Sequence, residues 1–138
     1  MTNEFAIAVH ALVYLHHKQD TVASEALAEN VCTNPVCIRR VMGKLKKAGI
    51  VSTKEGINGG YHITGKAENL NLNNVSEALK MEMIRSGWHS GSSDKECMIA
   101  CGMAGILDDL LAGMNEACRE YLRNITIADI EKKIFQNK

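Results

Sequence analysis

Five cysteines and one basic run are the most chemically distinctive residues of this chain. The cysteines stand at positions 32, 37, 97, 101 and 118 of 138 residues. An odd number of thiols without paired spacing argues against a disulfide framework and for thiol, metal or redox chemistry. Cys97 and Cys101 lie where a stretch rich in glycine and serine, Ser86 to Asp94, gives way to a helical pattern. A thiol at a helix N-terminus is drawn toward thiolate by the backbone dipoles, and thiolate is the form oxidants attack. Cys101 is read as sharing that setting with Cys97. Cys118 falls on an apolar helical seam, where it serves as a small hydrophobe. A metal site from Cys97, Cys101 and His89 ranks lower, because the gap between the cysteines lacks the tight pairing of zinc ribbons. No metal or cofactor is assigned.

The basic run is hidden by the average. Lys plus Arg and Asp plus Glu number 16 each, so the formal charge is zero. Residues 31 to 54, however, carry six cations (Arg39, Arg40, Lys44, Lys46, Lys47 and Lys54) and no anion. A concentrated positive stretch in an otherwise neutral or acidic molecule is suited to meeting phosphate. Arg39 is the leading base reader. Arg40, Lys44 and Lys47 are the phosphate contacts, and Lys46 ranks below them.

The elements that must hold these groups are mostly helical. Aromatic residues make up 4% of the chain and there is one proline, which disfavours a sandwich of short strands and favours long helices. Residues 4 to 17 are apolar on nearly every side, the pattern of a helix buried against several neighbours. Ser24 opens a short helix with an apolar stripe, and Asn34 caps a second one with Pro35 at its first position. In that second helix Ile38, Val41, Met42 and Leu45 share one face, leaving Val36, Arg39, Arg40, Gly43, Lys44 and Lys47 outward. Two helices joined by a short turn, the second basic, form a helix-turn-helix. Ile50 to Thr53 and Tyr61 to Thr64 read as two strands around a glycine-rich wing, residues 54 to 60, in which glycines let the backbone approach another surface closely. A helix is expected over Asn74 to Arg85.

From Cys97, apolar or thiol residues recur at 97, 100, 104, 107, 111, 114, 118, 121 and 125. Alternating steps of three and four over about four heptads predict a long helix packed along another, supplied by a second copy. Asn124 ends it, and Thr126 starts a last short helix. His10, His16 and His17 are packing or surface residues. The fold class is therefore mainly α: a winged helix-turn-helix DNA-binding domain with a two-stranded wing and a long dimerisation helix. Residues 1–66 form the DNA-binding domain, 67–96 a linker helix and sensor loop, and 97–138 the dimerisation and C-terminal helices. No export signal or membrane span is read, so the expected location is cytoplasmic. With no phosphate loop and no serine–histidine motif, an enzyme is not expected.

The block Leu27 to Val51 and the wing ending at Tyr61 resemble the Rrf-type, IscR-like (BadM-type) family of winged-helix transcription regulators, over essentially the whole chain. That resemblance implies a homodimer on a partly palindromic double-stranded DNA operator, usually as a repressor, with sensing of iron–sulfur status, nitric oxide or oxidants. It carries DNA contact onto Asn34, Val36 and Arg39, with the wing in the minor groove. Two departures stand out. Glu55 occupies the position where many members have an arginine, leaving Lys54, Asn58 and the adjacent Gly59 for the groove. Cluster-binding members also resemble one another in three cysteines at intervals of about six, whereas this segment has only Cys97 and Cys101. Cys118 lies about 25 Å further along a helix rising ~1.5 Å per residue, so an iron–sulfur centre is disfavoured. Redox sensing is placed on Cys32, Cys97 and Cys101. A bond from Cys32 to Cys97 or Cys101 of the other subunit would tie the DNA-binding head to the dimer helix. A cluster- or metal-binding regulator of the same family is the first alternative, and a winged-helix module that binds protein is the second.

Overall fold

The computed structural model describes residues 1–137. The chain runs α1 (Asn3–Lys18), α2 (Ser24–Val31), α3 (Pro35–Lys47), β1 (Val51–Lys54), β2 (Gly60–Ile63), a 3₁₀ turn (Ala67–Asn69), α4 (Leu72–Ala78), α5 (Met98–Arg123) and α6 (Ile127–Gln136). The fold class read from the sequence holds: a helical body with a two-stranded antiparallel wing.

The α1 helix is the hub, as its all-round apolar pattern predicts. Phe5, Ala8, Ala11, Leu12 and Leu15 are buried, and α2, α3, α4, α6 and β2 all pack against it. The centre of the core joins Leu12 to Leu27, Ile38, Met42, Leu45, Val75 and Ile127, all fully enclosed. The α6 helix folds back onto α1, where His17 stacks on Phe135 at 4.8 Å and His16 Nε2 lies 3.5 Å from Glu131. Thr126 and Asp129 form a capping box at its start. The Thr126 N–H donates to the Asp129 carboxylate at 2.9 Å and, with the Thr126 side chain, holds its pKa below the usual range.

Four local expectations shift. Ser24 is not a cap; Ala23 holds that position in extended backbone, next to an isolated antiparallel bridge in which Val22 and Tyr61 exchange two hydrogen bonds. The strands sit at 51–54 and 60–63 because the N–H of Ile50 closes the end of α3 on the Leu45 carbonyl. The helix expected over 74 to 85 is instead seven residues, 72 to 78. Asn71 and Asn74 cap its start, and Lys80 in the left-handed region ends it. The segment beyond is held by Asn115 of α5, whose buried amide accepts from the Ile84 N–H at 3.0 Å and donates to its carbonyl at 2.9 Å. A side chain 31 residues away thus satisfies backbone groups that a helix would otherwise pair internally.

The fourth shift concerns the seam. α5 is the long helix expected, ending at Asn124, with Cys97 as its N-cap. Of the seam positions, Leu107, Met114 and Tyr121 are exposed, while Ala100, Ala104, Leu111 and Cys118 are partly covered by their own chain. Ile99, Ile106 and Leu110 are exposed as well. The open apolar face is therefore rotated from the one the heptad pattern singles out.

Candidate nucleic-acid interface

The α3 helix is built as its residues dictate. The Asn34 side chain accepts the Cys37 N–H at 2.9 Å, and Pro35 sits in the first turn, where no intrahelical N–H is needed. Ile38, Val41, Met42 and Leu45 anchor one face in the core. The opposite face presents Asn34, Val36, Arg39, Arg40, Gly43 and Lys47 to solvent, with Lys44 half-buried. Val36 is 61% exposed at the helix start, an apolar group of the kind that meets a thymine methyl.

The cations are not equally available. Lys44 turns back to the first turn of α1, its ammonium 2.8 Å from the Glu4 carboxylate. Arg39 reaches toward Glu25 at 4.0 Å with both groups exposed, a loose pair that a phosphate can displace. Arg40 donates to the Cys37 sulfur at 3.6 Å, and Lys46 to the Thr53 hydroxyl at 3.0 Å. The sequence could not show the Lys44 pairing, since Glu4 is 40 residues away.

The wing projects beside this helix. Lys54, Glu55, Ile57 and Asn58 are exposed, and Gly59 is half-buried at the return. The wing's last two glycines serve its own closure: a Cβ on Gly59 would strike the Lys54 carbonyl, and one on Gly60 the Val22 carbonyl. The close approach read into them is thus to the chain's own backbone. Ile57, fully exposed at the tip, is a groove-facing candidate missed from sequence, although an isoleucine among three glycines was the signal.

The five thiols are all free and divide by exposure. Cys32, Cys97 and Cys101 are exposed; Cys37 and Cys118 are half-buried. Cys32 ends α2 in the left-handed region. At Cys97 the amides of Ala100 and then Ile99 hold the thiol below its usual pKa, although no formal cap hydrogen bond closes. Cys101 does not share that setting. It lies one turn inside α5, its N–H bonded to the Cys97 carbonyl at 2.9 Å and its thiol donating to the Ser93 carbonyl at 3.6 Å. His89 faces Asp108, 3.9 Å away. Cys118 lines a shallow apolar groove with Met1, Met83 and Tyr121.

A helix-turn-helix with a basic second helix and an adjoining glycine wing defines the winged-helix DNA-binding class. The model of the Rrf2 family, described as an iron-dependent transcriptional regulator, matches residues 1–133, and the chain belongs to that family. It is 26% identical over 135 residues to Bacillus subtilis YwnA, named an HTH-type transcriptional regulator, covering 98% of this chain and 99% of that one. It is 25% identical over 134 residues to the HTH-type transcriptional regulator IscR of Vibrio campbellii, covering 96% of this chain and 77% of that one. Its fold is similar to the crystal structure of a transcriptional regulator from Lactobacillus plantarum, with a TM-score of 0.81 and 29% identity, covering 97% and 91% of the two chains. The protein is thus a DNA-binding transcriptional regulator and not an enzyme.

Iron is implied by the family description. An iron–sulfur cluster takes four protein ligands, chiefly thiolates. Among the described residues, no group of three or more His, Cys, Asp or Glu side chains is placed to hold a metal ion. The residues of one protomer therefore do not fit such a cluster.

Proposed function

We propose that this regulator is a cytoplasmic homodimeric repressor whose grip on a double-stranded operator is controlled by oxidation of cysteine thiols. In this reading Asn34, Val36 and Arg39 meet base edges, Arg40 and Lys47 meet phosphates, and Lys54, Asn58 and Gly59 enter the neighbouring minor groove. Lys44 reaches phosphate only by leaving Glu4. Two copies join through α5, keeping the division into a reading head (1–66), a linker and sensor loop (67–96) and a dimer arm (97–138).

One helix among the described residues, α5, is long and apolar enough to cross a membrane. Its middle carries Asp108 and Asp109 side by side. Charges there cost about 2.5–3.5 kcal/mol each at a bilayer centre, which favours a second protein surface over hydrocarbon.

The observation that carries the thiol reading is the exposure pattern: Cys32, Cys97 and Cys101, the three assigned to sensing, are the three exposed thiols. The Cys97 thiolate attacks a hydroperoxide, taking one oxygen to become a sulfenic acid and releasing an alcohol or water. A second thiol, the partner's Cys32, displaces that oxygen as water and forms the disulfide. The bond resets the separation of the two α3 helices, which must match half-sites about 34 Å apart. Non-reducing electrophoresis after hydroperoxide treatment, with duplex binding measured on the same samples, tests this. The expected result is a cross-linked dimer, absent in Cys32→Ser, with altered duplex affinity; monomer bands alone overturn it.

A further inference from the structure

An elongated crevice of about 880 Å³ runs along α1, between α6 and the end of α2. Two rows of α1 residues spaced four apart line it, Phe5, Val9 and Val13 in one and Ala6, His10, Tyr14 and Lys18 in the other. Residues at that spacing are neighbours on a helix surface. Leu72, Ile130 and Ile134 line it from the other elements. Phe5, Val13 and Leu72 are buried at its base, whereas Ile134 is 52% exposed at its mouth. Among the described residues none from α5 lines it, so joining two copies through that helix does not draw on it.

The crevice is polarised along its length. Its apolar side chains run from Phe5 to Val13 and Ile130, and its charged side chain, Lys18, stands at the far end beside His17. The Lys18 ammonium lies 5.5 Å from the Tyr14 ring centre, which settles it against the wall. His17 stacks on Phe135 there at 4.8 Å and keeps at least one ring N–H to donate. Among the described residues no Asp or Glu lines the crevice. From Phe5 to Lys18 the helix rises about 20 Å at ~1.5 Å per residue. A trough of this volume lies within the ~300–1,000 Å³ of small-molecule sites. Its form suits one anionic head on a long apolar tail. A peptide would instead lay unpaired backbone N–H and C=O groups against apolar walls.

We propose that this crevice binds a free long-chain carboxylic acid, its carboxylate at Lys18 and His17 and its alkyl tail along Val13, Val9 and Phe5. At midlength His10 Nε2 lies 2.8 Å from Asn30 Oδ1, so the wall is continuous with α2, the first helix of the helix-turn-helix. The site stands independently of the thiol switch.

The test is isothermal titration calorimetry of the reduced full-length protein with straight-chain saturated acids of eight to fourteen carbons, each below its aggregation concentration, and with the matching alcohols. One acid per protomer is expected, with affinity rising roughly two- to fourfold for each added CH₂ until the trough is filled. Lys18→Gln should weaken the acids by about tenfold, as for one lost charge-assisted hydrogen bond, and leave the alcohols unchanged. Ile134→Asp should weaken acids and alcohols alike while the mass by sedimentation equilibrium stays that of the parent. Absence of heat with every acid, affinity flat across the chain lengths, or acids indifferent to Lys18→Gln overturns the site. A change of mass in Ile134→Asp shows the crevice covered by a second copy and overturns it equally. Circular dichroism checks the fold of each variant, and the chain-length series on the parent protein decides even where a variant misfolds.

Discussion

The reading head and the α5 arm solve opposite problems. In the head, every large apolar residue of α3 except Val36 is buried, and Val36 lies on the exposed face proposed to meet DNA. Along α5, Ile99, Ile106, Leu107, Leu110, Met114 and Tyr121 all face water. One region is complete within a single chain; the other leaves a row of side chains whose burial would each contribute roughly 1.5–3 kcal/mol. The polar end of α5 differs again, because Arg119 and Arg123 pair with Glu116 and Glu120, and Arg119 first of all holds the Glu116 carboxyl below its usual pKa. The contrast teaches that the helix-turn-helix and wing are completed inside one chain, while in the proposed dimer the spacing of two heads would be set by what covers α5.

The largest expected effect breaks the arm. Ile106→Asp with Leu110→Asp should convert the protein to a monomer by sedimentation equilibrium and lower duplex affinity by roughly 100-fold or more, since two lost apolar contacts amount to about 3 kcal/mol. A core change in the head comes next: Met42→Ala should cost about 2–5 kcal/mol in denaturant unfolding, with no comparable loss for the exposed Met114→Ala. Arg39→Ala with Arg40→Ala should leave stability within about 0.5 kcal/mol. It should also lower duplex affinity and, with one phosphate contact removed at Arg40, reduce the slope of log affinity against log salt by about 1. Alkylation of Cys97, followed by mass spectrometry across pH, should show its midpoint below that of an ordinary thiol, because the Ala100 and Ile99 amides favour the thiolate. The smallest effect sharpens the account of Lys44. Glu4→Gln should release that lysine and strengthen duplex binding by up to about threefold, in line with one exposed ion pair.

The head was legible because its signals are local. Asn34, Pro35 and the spacing of Ile38, Val41, Met42 and Leu45 define α3 within twelve residues, and all of them behave as read. What escaped was set by distant partners. The Asn115 amide replaces helical bonding at Ile84, Glu4 takes Lys44, and the Val22 backbone dictates glycine at position 60. The long helix itself was plain from its apolar period, but which stripe remained open was not. The loop before α5 covers part of the expected seam, as in the Ser92 N–H bond to the Ala100 carbonyl at 2.9 Å. At the sensor, the same spacing that joined Cys97 to Cys101 concealed their difference, since only the first faces the free amides of the helix start.

The central claim is that two copies, joined through α5, present paired α3 helices to one duplex. The mass of the complex formed by reduced protein on a palindromic duplex, measured by sedimentation equilibrium, tests it directly. The account predicts two protomers per duplex at every protein concentration that gives binding, and none for the Ile106→Asp, Leu110→Asp variant at those concentrations. A stable complex of one protomer per duplex, or no complex with any duplex, would contradict it.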